Sequence, residues 1–143
     1  MVKEKQLKKN QPKISTLKRK VWKVFSAYIR LRDCLRTTGL PDYGKCITCS
    51  KTVPRKLLQA GHFISGRHNA NLYSEKGTHA QCYNCNINLR GSTLEYRRQI
   101  IQMYGKDYDG VLEYEAQQIL KFTVPDLEEL KQDLEDKIKL LEA

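Results

Sequence analysis

The chain has 143 residues, 40% of them hydrophobic and 29% charged, with a formal net charge of +10. That length gives room for one domain with a modest core, and no apolar run approaches the ~20 residues that span a membrane. The N-terminal segment is basic but has no secretory apolar stretch, so a cytoplasmic setting is expected, in which thiols stay reduced.

The charge is uneven. Residues 1–36 carry a net +10, residues 37–106 a net +7 and residues 107–143 a net −7. A basic front and centre with an acidic tail points to a polyanion such as nucleic acid for the first two thirds. Solubility alone is the blander explanation. The sequence divides into a basic tail over 1–14, expected to be mobile, a basic helix with a metal-type core over 15–105, and an acidic helical extension over 106–143.

In chain order, residues 15–36 predict a helix. Leu17, Val21, Val24, Tyr28, Leu31 and Leu35 recur at steps of four and three and draw one apolar stripe. Ser15 is its expected N-cap. Lys18, Arg19, Lys20, Lys23, Arg30 and Arg32 lie largely off the stripe, where they could meet phosphates or simply be solvated. Gly39, Pro41 and Gly44 break the helix. Short strands are expected in "LQAGHFIS" and around "THAQC". A helix is expected to open near Cys82 and to be interrupted near Gly91. Ser92 with Glu95 predicts a capping box for a helix to Tyr104, ended by Gly105. Residues 110–121 predict another helix. Asp126 with Glu129 starts the last, whose stripe of Leu127, Leu130, Leu134, Ile138 and Leu141 could pack internally or against a second chain.

Cys46-x-x-Cys49 and Cys82-x-x-Cys85 supply four thiolates, the set for a tetrahedral structural zinc with no open position. Redox-active thiols are the alternative. Cys34 has no partner in this pattern and is expected to be a packed or free thiol.

Between the pairs lie all three histidines, His62, His68 and His79. A histidine near its neutral pKa can take a proton from water, and a hard cation such as Mg²⁺ can hold phosphate oxygens. Asn86, directly after the second cysteine pair, is placed to offer an oxygen to such a cation.

The run "CITC … AGHFISGR … HAQCYNCN" resembles the HNH, or ββα-metal, nucleases. With "FSAYIRLRD" and "EYR" added, the order of motifs over about residues 17–104 looks like the phage NinG/Rap recombination nucleases, and the cysteine pairs and following asparagine look like phage endonuclease VII. The resemblance implies His62 as general base, Asn86 as ligand to a catalytic Mg²⁺ or Mn²⁺, and the four cysteines as zinc ligands. It departs at Gly61, where many HNH nucleases carry a second metal ligand, and His79 is the first candidate to replace it. Gly77 or Thr78 stands near the expected central asparagine, with Asn71 a weak substitute.

The implied architecture is α+β: a small zinc-stapled ββα-metal core, a long basic helix before it and helices after it. The implied activity is metal-dependent, structure-selective cleavage of branched DNA, such as Holliday junctions or D-loops, in the cytoplasm of a bacterial host. A homodimer is expected, because symmetric junction cleavage needs two sites. Arg67, Arg90, Arg97 and Arg98 join the helix's basic residues as expected DNA contacts. A less selective HNH nuclease and a non-catalytic zinc-held DNA-binding module are the alternatives.

Overall fold

A computed structural model describes residues 12–66 and 68–143. Arg67 and most of the basic tail lie outside the described residues. The order of elements is helix α1 (Ile14–Thr38), strands β1 (Tyr43–Lys45) and β2 (Thr52–Pro54), and strand β3 (Gln59–His62). A short helix α2 (Asn69–Leu72), strand β4 (Thr78–Gln81) and a π-helical turn over Asn84–Asn88 follow. Helices α3 (Thr93–Tyr104), α4 (Tyr108–Ala116) and α5 (Val124–Glu142) complete the chain. None of the described helices is long and apolar enough to cross a membrane.

Helix α1 begins at Ile14 with Lys13 at its N-cap and no side-chain cap, so Ser15 lies inside the helix instead of capping it. Gly39 ends it in the left-handed conformation, its N–H donating to Leu35 O, as a helix C-terminus favours. Its buried row is Leu17, Val21, Phe25 and Ile29. Val24, Tyr28 and Leu35 of the expected stripe are only half-buried. A row at strict steps of four is one ridge of the helix surface, and α5 packs along it. Leu127 and Leu134 of α5 join that row and Ala60 in one core. The stripe of the acidic helix therefore packs internally, while Leu140 and Leu141 at its end stay exposed. The helix starts earlier than expected because Thr123 caps it: Thr123 Oγ1 accepts from Asp126 N–H and the Asp126 carboxylate accepts from Thr123 N–H. Asp126 is thus the far side of a capping box, not its start.

Two small antiparallel sheets hang from α1, β1 with β2 and β3 with β4. In the second, Gln59 pairs with Gln81, Gly61 with His79, and His62 with Thr78. Directly opposed residues share a face, so Gln59, Gly61, His79 and Gln81 face one way and His62 the other. Asp33, fully buried in α1, ties this sheet down: its Oδ2 accepts from Ala80 N–H at 2.7 Å and its Oδ1 from Arg32 Nε at 2.9 Å. Cys34 is a buried thiol beside Val53, Leu58 and Ala80, the packed role expected of it. Ile47, Phe63, Tyr96, Ile100 and Leu112 form a second core that seats α3 and α4.

The capping box expected at Ser92 does not form. Ser92 has a φ of 47°, outside the extended conformation that aims an N-cap hydroxyl at the helix,. Glu95 instead accepts from Arg98 and Gln99. Helix α4 runs over Tyr108–Ala116, ahead of the span expected for it.

Candidate functional site

The four cysteines converge from two turns. Cys46 and Cys49 sit on a turn after β1, closed by Ser50 N–H donating to Cys46 O at 2.9 Å. Cys82 and Cys85 flank the start of the π-helical turn, where Cys85 N–H donates to Cys82 Sγ at 3.4 Å. All four sulfurs lie within 4.8 Å of one another, and Cys49 Sγ and Cys82 Sγ are 3.8 Å apart. Tetrahedral zinc with Zn–S of ~2.3 Å needs sulfurs about 3.8 Å apart. The cluster therefore fits a zinc ion with four protein ligands. Burial opposes ionisation of Cys46, but hydrogen bonds from the Thr48 hydroxyl and from neighbouring backbone amides outweigh it and hold the thiol down at about 6.

The metal-type cluster pins the residues that follow it. Asn86 lies on the π-helical turn, its backbone N–H donating to Cys82 O at 3.0 Å. It lines a cleft of about 600 Å³ together with His62, Trp22, Arg30 and Arg90. Among the described residues no acidic side chain lines this cleft. Burial, and after it the neighbouring Arg55 guanidinium, lower the pKa of Arg30 from its ordinary value. An arginine so placed remains charged, and clustered guanidinium groups without acids suit an anion.

His62 is held on two sides. Its ring stacks on Trp22 with centroids 5.2 Å apart and planes at 23°. Its Nε2 is 2.9 Å from Leu72 O. A carbonyl only accepts, so Nε2 carries the hydrogen, and in the neutral ring Nδ1 is the atom that takes a proton. Leu72 can accept because α2 ends there and its last carbonyls have no intrahelical partner. Asn71, buried beside it, donates from Nδ2 to Ile64 O at 3.1 Å and so ties α2 to the loop after β3. Asn71 thus holds the segment that supplies the carbonyl to His62.

Gly61 is glycine for a steric reason. A Cβ there would sit 1.9 Å from Gln81 Oε1 and 3.0 Å from Asn86 Oδ1. The place where a second ligand was expected is filled by an amide from the opposite strand. Asn86 Nδ2 donates to Gln59 Oε1 at 2.8 Å. Gln81 Nε2 donates to Gly91 O at 3.0 Å and Thr48 Oγ1 at 3.2 Å. Gly91 lies in a run of left-handed residues, Arg90, Gly91 and Ser92, with φ of 52°, 91° and 47°.

His79, the candidate second ligand, is corrected by its surroundings. It is fully buried, with Nδ1 3.2 Å from Tyr96 Oη and Nε2 2.8 Å from Tyr104 Oη. Tyr96 Oη donates to Gly61 O at 2.6 Å. The directions then follow: Tyr104 donates to His79 Nε2, and His79 Nδ1–H donates to Tyr96. Both nitrogens are occupied away from the cleft. Burial pushes the His79 pKa down to about 3, keeping the ring neutral as this relay requires. His68 is exposed at the N-cap of α2.

A family model described as "Bacteriophage Lambda NinG protein" matches residues 2–143, nearly the whole chain. The chain belongs to the NinG family. No curated protein and no solved structure matches it.

In this NinG-family chain the basic residues sort into two groups. Arg19, Lys20 and Lys23 are exposed on α1, Lys18 donates to Asn69 Oδ1, and Arg30 and Arg90 line the cleft. Arg32 belongs elsewhere: it donates to Glu75 O at 2.7 Å and Thr78 O at 2.8 Å besides Asp33, so it buttresses the sheet and does not offer itself to a phosphate. Arg97 is claimed by Asp109 and Glu113 at 2.6 and 2.7 Å, and Arg98 pairs with Glu95 on an exposed face. Trp22, Gln59 and Gln81 were not singled out in the sequence. Trp22 is the chain's single tryptophan but belongs to no motif, and the glutamines carry no signal beyond the missing side chain at Gly61.

Proposed function

We propose that this NinG-family protein is a divalent-metal-dependent endonuclease of branched DNA acting in phage recombination, built on a ββα-metal core made of β3, β4 and the Asn86 turn. The observation that carries this reading is the shared cleft: His62, oriented by Leu72 O and Trp22, opens onto the same cleft as Asn86, Arg30 and Arg90. The donor set fits a hard cation, since Asn86 Oδ1 and a buried amide oxygen without a hydrogen-bond partner among the described residues both lie against Gly61,. Bound there, Mg²⁺ or Mn²⁺ would supply charge for the phosphate oxygens and the leaving oxygen.

The chain's own residues would do the rest. His62 Nδ1 takes a proton from a water whose oxygen attacks phosphorus; the opposite ester P–O bond breaks, its electron pair stays on the leaving sugar oxygen, and that oxygen takes a proton from a second water. The Nε2–H bond to Leu72 O strengthens as the ring becomes cationic, and the Trp22 face favours that cation. Arg30 and Arg90 hold phosphate oxygens in place. The protein would act as a homodimer, with one cleft for each of two symmetric cuts.

The test compares wild type and His62→Ala on a labelled four-way junction and the matching linear duplex, with Mg²⁺, Mn²⁺ or chelator. Preferential junction cutting by wild type, lost in His62→Ala with binding kept, is expected. Equal cutting of duplex would point to a less selective nuclease. Binding by both proteins without cutting would mean a zinc-held DNA-binding module. Light scattering of the protein alone and on the junction reads the dimer.

A further inference from the structure

We infer that Gln81 is a direct ligand of the catalytic divalent ion, its side-chain oxygen taking the place of the ligand that Gly61 cannot provide. The inference rests on the nuclease reading above and names the residue that completes its metal shell.

Four observations converge. Gln81 is fully buried, and its Oε1 has no hydrogen-bond partner among the described residues. The amide orientation is fixed: Nε2 faces Gly91 O, which can only accept, so Oε1 must face the other way,. That way lies Gly61, and the same point in space is bordered by Asn86 Oδ1. Finally, Gln81 shares a sheet face with Gly61 and His79, two residues along β4 from the histidine that was the first candidate. Leaving a buried amide oxygen unpaired is costly, and a cation is the partner that would satisfy it together with Asn86.

Amide oxygens are ordinary ligands for Mg²⁺ and Mn²⁺. Two neutral amides leave the ion's charge uncompensated, so phosphate from the DNA should strengthen its binding. A carboxylate at position 81 should strengthen it in the free protein.

The experiment titrates Mn²⁺ into the zinc-loaded full chain, following free Mn²⁺ by electron paramagnetic resonance, with and without a non-cleavable phosphorothioate junction. Wild type, Gln81→Met, Gln81→Glu and Asn86→Ala are compared, with zinc content and melting temperature as checks on the fold. Gln81→Met is expected to lose roughly ten- to a hundredfold or more in Mn²⁺ affinity, as ligand-shell changes do, in step with Asn86→Ala. Gln81→Glu is expected to bind Mn²⁺ at least as tightly as wild type. Zinc-loaded Gln81→Met with wild-type Mn²⁺ affinity would overturn the inference, and if wild type still cuts junctions, the nuclease reading stands without it. Should Gln81→Met fail to fold, Gln81→Glu decides: weaker Mn²⁺ binding than wild type by the folded, zinc-loaded variant would overturn the inference. Wild type that neither binds Mn²⁺ on the junction nor cuts it removes both readings.

Discussion

Asp33 of α1 accepts the backbone N–H of Ala80 in β4 at 2.7 Å, and both residues are buried. Through this bond the long helix holds the strand that carries His79 and Gln81. The Arg32 guanidinium, locked to Glu75 O and Thr78 O, completes the clamp. Burial opposes ionisation of Asp33, but the Arg32 charge and the hydrogen bonds outweigh it and keep the carboxyl below its ordinary value.

Asp33→Ala is therefore expected to destabilise the fold by about 3–5 kcal/mol, because it strands a partly buried guanidinium and a buried amide. Urea unfolding at neutral pH measures the loss. Asp33→Asn, which keeps an acceptor for Ala80, should lose less. Equal stability of Asp33→Ala and wild type would mean that the clamp contributes nothing.

The relay from Tyr104 through His79 and Tyr96 to Gly61 O predicts a pH dependence. His79 has a folded pKa of about 3, whereas an unfolded histidine titrates near 6.5. Below about 6.5 the unfolded chain takes up a proton that the folded one refuses, so stability falls by about 1.4 kcal/mol per pH unit as pH drops, until the folded ring itself titrates. Zinc release adds its own acid sensitivity, common to both proteins in a comparison. The difference in unfolding free energy between wild type and His79→Gln should narrow by about 2 kcal/mol in total from pH about 7 to about 5, most of it below about 6.5. A constant difference would show that His79 is not held neutral.

The zinc cluster predicts a metal-dependent fold. Each chain should bind one zinc ion, and Cys46→Ser or Cys85→Ser, both at buried positions, should lower zinc content and melting temperature together. Structural zinc contributes roughly 10–16 kcal/mol in small zinc-finger peptides, so a strong chelator should unfold the Asn86 turn first. Elemental analysis with circular dichroism checks this. Chelator-treated protein that keeps its melting temperature would remove the structural role.

What could be read from the sequence was what the chain holds close together. The two Cys-x-x-Cys pairs and Asn86 one residue past Cys85 follow from local spacing, whereas His62 is set apart from His68 and His79 only by the family resemblance. Arg32 could not be read, because the carbonyls that claim it lie 43 and 46 residues away. Ser92 looked like an N-cap, but the left-handed run through Gly91 uses its backbone to present a carbonyl to Gln81. Gln81 itself was hidden because glutamine has no periodic or motif signature. Only the absence of a side chain at Gly61 hinted that something else fills that space.

The basic residues allow one further separation, between affinity and stability. Arg30 and Arg90 line the cleft, whereas Arg97 is held by Asp109 and Glu113. Each phosphate contact contributes about 0.9 to the slope of log affinity against log salt for duplex DNA. Arg30→Ala and Arg90→Ala are each expected to weaken junction binding and to reduce that slope by about 1, with little change in melting temperature. Arg97→Ala should do the reverse, lowering melting temperature by loosening α4 from α3 while leaving the salt slope unchanged. Fluorescence anisotropy on a labelled junction across a salt series, paired with thermal melts, measures both. If Arg97→Ala shifts the slope and Arg30→Ala does not, the DNA path runs over α3 and away from the cleft, and the placement of the phosphate beside His62 has to be abandoned.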